Sequence, residues 1–223
     1  MLDPDATQLI ERLQRDFPSL PGTDQNIWST PSAAKIIDCV LSLRMKYTRV
    51  VAPRVERFVR DHPEVCSCAA LAGLIRQHPS PAAFSASVLN MKHATKGAAI
   101  LAVADHLIGE QARFEGSEEE RLSQWARWAR PGDFIAFVAP GFGIAGFQYL
   151  RILFGADTIK PDVHILRYLQ DAIGHPVAEG PAVYLIERVA GLMGASARGI
   201  DRAIWERAAA AARVATPTTK RPG

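Results

Sequence analysis

Residues 141–146 read GFGIAG and Asp162 lies downstream of them, a pattern whose chemistry is the handling of phosphate near a single carboxylate. Closely spaced glycines let a chain turn sharply and approach a ligand, and the bare amides that open a following helix favour an anion. Two arrangements use this. In a dinucleotide-binding unit the apolar run FIAFVA (134–139) is a strand, the glycines cradle a pyrophosphate, and an acid about 20 residues further on holds the ribose. In a helical hairpin, 133–139 is a short helix, Pro140, Gly141, Phe142 and Gly143 form a tight turn, and a second helix opens at Ile144 and runs to 154. Such a hairpin grips a DNA backbone through main-chain groups without reading sequence.

The surroundings of Asp162 favour the hairpin. Lys160 and Pro161 precede it, and Ile165, Leu166, Leu169 and Ile173 follow as a helical stripe, so the acid opens a helix instead of closing a strand. The residues beyond also read as helices, leaving no strands to complete a parallel sheet. An aspartate directly before an amphipathic helix is also a standard N-cap, which by itself accounts for Asp162.

The segment APGFGIAGFQYLRILFGADTIKPDVHILRYL (139–169) resembles the helix-hairpin-helix and aspartate loop of base-excision DNA glycosylases, the endonuclease III-like superfamily. In that family a Pro-Gly-x-Gly hairpin precedes an Asp-x-His segment by a similar interval. Upstream, IIDCVLSLRMKYTRVVAPRVERF (36–58) is similar to the family's early helix, Leu-Ser loop and next helix, with weaker similarity at NMKHATKGAAILAVADHLI (90–108) and in the C-terminal helices. The resemblance implies a two-lobed all-α fold and, as partner, double-stranded DNA carrying a damaged or modified base that is flipped out of the helix. It assigns Asp162 the stabilisation of positive charge on the sugar as the glycosidic bond breaks.

The departures from the family pattern are informative. Members that also cut the backbone place a lysine near the start of the second hairpin helix. Ala145 occupies the matching position, so water is the expected nucleophile and the enzyme is expected to be monofunctional. No cysteine follows Cys68, so no iron–sulfur cluster, and no cofactor, is expected; the resemblance leaves room for a monovalent cation at the hairpin turn. Arg44, in LSLRMK, stands where relatives often use glutamine to fill the gap left by the flipped base, and arginine can stack there. Lys92, Lys96, Lys160 and Arg151 are candidate phosphate contacts. His164 is a candidate loop support, and Trp125 and Trp128, three apart, are expected core anchors. A non-catalytic DNA-binding relative, with Asp162 as cap alone, and a dinucleotide-dependent enzyme are the alternatives.

The elements that must position these groups read as helices nearly throughout, because apolar residues recur at three- and four-residue intervals. Expected helices cover 3–17, a stretch beginning near Ser32, then 47–60, 67–77, 81–88, 93–113, 117–129, 179–193 and 196–212. Ser117 with Glu120 is a capping box. With 223 residues and 48% hydrophobic content, one two-lobed domain over 1–214 is expected, followed by a flexible basic tail at 215–223. The net charge of +3 permits a phosphate partner without demanding one. The apolar stretch 134–154 is long enough to span a bilayer, but Pro140, its glycines, Gln148 and Arg151 argue against that. Cys39, Cys66 and Cys68 have no metal-ligand spacing and read as reduced thiols. The first residues, MLDPDATQLIERLQRDF, lack the basic start and apolar run of a secretory signal, so a cytoplasmic location is expected, nucleoid-associated in a bacterium.

Overall fold

The computed structural model describes residues 3–20 and 30–214. The tail at 215–223 and most of the loop before Ser32 therefore lie outside the described residues. Among the described residues the chain is all-α and contains no strand. The helices are α1 (Pro4–Asp16), α2 (Ser32–Ser42), α3 (Ala52–Asp61), α4 (Cys68–Arg76), α5 (Pro81–Ser87), α6 (Ala94–Gln111), α7 (Glu118–Trp128), α8 (Ile144–Leu153), α9 (Val163–Ile173), α10 (Glu179–Met193) and α11 (Ala197–Val214). A strand-based dinucleotide unit requires parallel strands, and FIAFVA forms none, so the glycines at 141–146 do not follow a strand. None of the helices is long and apolar enough to cross a membrane, among the described residues.

Caps set the boundaries. Asp3, Ser67 and Ser80 each accept a hydrogen bond from an amide in the first turn of α1, α4 and α5, and Pro4 and Pro81 sit where a missing N–H costs nothing. The capping box of Ser117 and Glu120 opens α7. α9 and α10 stop at Gly174 and Gly194, both left-handed at φ 82° and 62°.

Two expected helices differ in detail. The stretch over 47–60 begins as a π-helical segment, Tyr47–Val51, before α3. Pro53 has no amide to donate and its ring crowds the carbonyl four residues earlier, so ordinary α bonding cannot run through this point; the Ala52 amide reaches Tyr47 instead. Where the sequence suggests a short helix over 133–139, the chain forms a 3₁₀ helix, Pro131–Ala136. Asp133 accepts from the Arg130 amide at 2.7 Å and tightens that turn, after which Phe137 turns inward.

The chain divides into two units, one spanning Asp24–Ala156 and the other combining Met1–Thr23 with Asp157–Gly223. Each has its own core. In the 24–156 unit, α2 and α6 contribute Ile36, Ile37, Val40, Ile100, Val103 and Leu107, with Trp125 and Phe147 from α7 and α8. In the other, α1 packs on α9 and α10 through Leu9, Leu13, Leu169, Val183 and Ile186. Burial of such side chains is the main force holding each unit, at roughly 1.5–3 kcal/mol per large residue.

Candidate functional site

The glycine turn in the 24–156 unit combines an outward and an inward face. Pro140, Gly141 and Gly143 are exposed, whereas Phe142 and Ile144 are buried. Phe142 stacks on Phe137 at 5.5 Å, and Phe137 in turn packs edge-on against Phe147 at 5.1 Å, so the turn is pinned to the core by aromatic contacts. Gly141 has φ +69°, a conformation that other residues resist. A Cβ at Gly143 would meet nothing within 4 Å, so its absence is not demanded by neighbours inside the chain. Gly143 caps α8 without a side chain, which leaves the first amides of that helix without a side-chain acceptor.

Gly146 does a different job. A Cβ there would lie 3.0 Å from the Phe142 ring and 3.2 Å from Leu43, so this glycine permits α8 to lie close to the end of α2. The Cys39 thiol donates to the Gly146 carbonyl at 3.2 Å at the same crossing. α8 and the loop that follows α2 are thereby brought together. Within that loop Arg44 is exposed and holds φ 64°, an unusual value for a residue with a side chain.

The cations named from the sequence separate into two groups. Lys92 and Arg44 are exposed. Lys96 is half-buried, and its ammonium donates to the Val40 and Leu43 carbonyls at 2.6 and 2.9 Å, where it satisfies the open end of α2. The ammonium expected at a phosphate is thus turned onto the protein, holding the loop that carries Arg44. Arg151 is corrected outright: it is buried, donating to the Ala126 carbonyl at 2.9 Å and to Gln148 at 2.6 Å. Helical periodicity alone cannot tell a surface arginine from one that is buried and hydrogen-bonded within the chain. Trp125 is a core anchor as expected, while Trp128 is half-exposed under the Arg113 guanidinium.

A buried carboxylate between α2 and α8 was not anticipated. Asp38 accepts from the Tyr47 hydroxyl at 2.8 Å and from the Tyr149 hydroxyl at 2.9 Å. Burial, and then the Asp38 charge, raise both phenols well above their ordinary range, so they remain donors at any physiological pH. The signal for this was a lone acid inside the apolar helical run IIDCVL.

In the other unit Asp162 caps α9, its Oδ1 accepting from the amides of His164 at 2.9 Å and Ile165 at 3.3 Å. Among the described residues no hydrogen bond reaches Oδ2, so one oxygen serves the cap and one does not. His164 is half-buried. The approach to Asp162 is stitched to the start of α11: Asp157 accepts from the Ser196 hydroxyl and the Arg198 amide, and Asp201 accepts from the Lys160 amide. Lys160 itself is half-buried. Burial raises the Asp201 carboxyl to about 7, and the neighbouring Asp162 charge pushes in the same direction. Nothing in the sequence marks Asp201, an acid in an alanine-rich helix. Among the described residues no group of His, Cys, Asp and Glu could hold a metal ion, and Cys39, Cys66 and Cys68 form no disulfide.

Residues 21–209 match the family described as Domain of unknown function (DUF8548), and the chain belongs to that family. No curated protein and no solved structure matches it.

Proposed function

We propose that this DUF8548 member is a monofunctional DNA N-glycosylase of the helix-hairpin-helix type, with a two-lobed helical fold, acting on a damaged or modified base in duplex DNA. The observation that carries the reading is the exposed glycine turn before α8, whose amides have no side-chain cap and whose Gly143 is free of internal packing demands. Main-chain donors at a helix start suit a phosphate, and a turn pinned by Phe142 is rigid enough to set the register of a duplex.

In the proposed reaction the C1′–N bond breaks with its electron pair leaving on the base, which gains a proton. Asp162 supports the positive charge on the sugar through the oxygen not used in capping. A water then adds at C1′ and loses its proton, leaving an abasic site. With Ala145 at the lysine position, no Schiff base forms.

The test is incubation with duplexes bearing a panel of modified bases, followed by alkaline cleavage. Asp162→Asn is the informative variant, because asparagine also caps a helix and the fold is retained. Product from wild type and at least a 100-fold loss in the variant is expected; equal yields would remove Asp162 from the chemistry. A second reading, DNA binding without turnover, is favoured by the capping role of Asp162 and predicts affinity for every duplex with product from none.

A further inference from the structure

Within the 24–156 unit, α6, α7 and the 3₁₀ helix enclose a cavity of about 410 Å³, inside the size range of small-ligand sites. Its inner wall is aromatic. Trp125 and Phe137 lie 5.9 Å apart, and the His106 ring packs on Phe137 at 3.8 Å. Burial lowers the His106 pKa, so the ring is neutral near pH 7 and offers one donor and one acceptor.

The outer wall carries an acceptor and a donor side by side. Glu110 accepts from Arg113 at 3.1 Å through Oε2, while its Oε1 stands 3.9 Å from His106 Nε2, too far for a hydrogen bond. The Arg113 guanidinium lies 4.4 Å from the centre of the Trp128 ring and keeps further N–H groups for a ligand. Trp128 is 51% exposed and Ile135 76% exposed, so the mouth leaves apolar surface in water that a flat ligand would cover.

A ligand complementary to these walls is planar and aromatic, with an N–H donor beside a ring acceptor. A purine base has that edge, and its two rings give a larger stacking face than one ring does. We infer that this cavity binds a free purine base or its nucleoside, with the exocyclic amine on Glu110, a ring nitrogen on Arg113 and the ring face on Trp128. The inference does not rest on the glycosylase reading: Glu110, Arg113 and Trp128, the groups assigned to the ligand, have no part in it, although Phe137 of the inner wall also packs on the glycine turn.

The experiment is an NMR titration of the intact protein with adenine, following the tryptophan indole N–H signals. Saturable shifts of Trp125 and Trp128, with Trp205 unmoved and a Kd below about 1 mM, are expected. N6,N6-dimethyladenine keeps the rings and loses the donor, and Glu110→Gln keeps the shape and loses the charge; each is expected to weaken binding about tenfold. Trp128→Ala, at a half-exposed position, is expected to weaken it about 5- to 100-fold, with Trp125 as the remaining reporter. Asp162→Asn leaves adenine binding unchanged, which separates this site from the proposed chemistry. No saturable shift up to about 5 mM, or equal affinity for the dimethylated base, or wild-type affinity in both cavity variants, would overturn the proposal.

Discussion

The Asp201 carboxylate accepts a hydrogen bond from the Lys160 amide at 2.9 Å, which ties α11 to the loop ending in Asp162. Only Pro161 separates Lys160 from the acid that opens α9, so this contact orients the backbone from which Asp162 caps its helix. The cost is a second carboxyl close to the first, buried enough to be raised to about 7.

That cost sets a pH dependence. Asp201 takes up its proton more readily folded than unfolded, so stability is greatest below about pH 4 for this group and falls as pH rises to about 7, where the folded form also ionises. The loss is on the order of 4 kcal/mol. Asp201→Asn keeps an acceptor for Lys160 and removes the charge. Its melting temperature is expected to exceed wild type by roughly 5 °C or more at pH 8, with the difference shrinking towards pH 4. A difference that is constant with pH would contradict the assignment.

On the proposed reading Gly143 serves binding, whereas Gly146 serves packing. Gly146→Ala forces a methyl group against Phe142 and Leu43 and should cost about 1–3 kcal/mol, read as a fall in urea midpoint. Gly143→Ala meets open space and should leave that midpoint unchanged within about 0.5 kcal/mol, while weakening duplex binding measured by fluorescence anisotropy.

Lys96 and Lys92 form a similar pair. Lys96→Met leaves the Val40 and Leu43 carbonyls without their charged donor and should destabilise the protein by about 1.5–3 kcal/mol. Lys92→Met, on the surface, should leave the melting temperature unchanged and reduce the salt dependence of DNA affinity by about one unit of slope.

Tyr149→Phe withdraws one of the two phenols that solvate buried Asp38. A loss of about 1–3 kcal/mol is expected from chemical denaturation. Absorbance titration of the wild type should show Tyr47, Tyr149 and Tyr168 ionising above pH 10, since burial raises all three.

The sequence by itself determined the helices and most of their ends. Periodicity and capping are local: Ser117 with Glu120, Pro81 after Ser80 and Gly174 after Ile173 act within a turn or two, so the residues that decide each boundary are adjacent in the chain. The acid at the head of α9 and the glycine turn before α8 were legible for the same reason. The tertiary structure decided which charges face solvent. Lys96 and Arg151 look like any surface cation until the carbonyls of Val40, Leu43 and Ala126 arrive from distant segments to accept from them. Asp38 and Asp201 likewise take much of their character from partners 111 and 41 residues away, Tyr149 and Lys160. A hydrogen-bonded charge inside a protein is defined by desolvation and by its partner together, and both are supplied by the fold, not by neighbours in sequence.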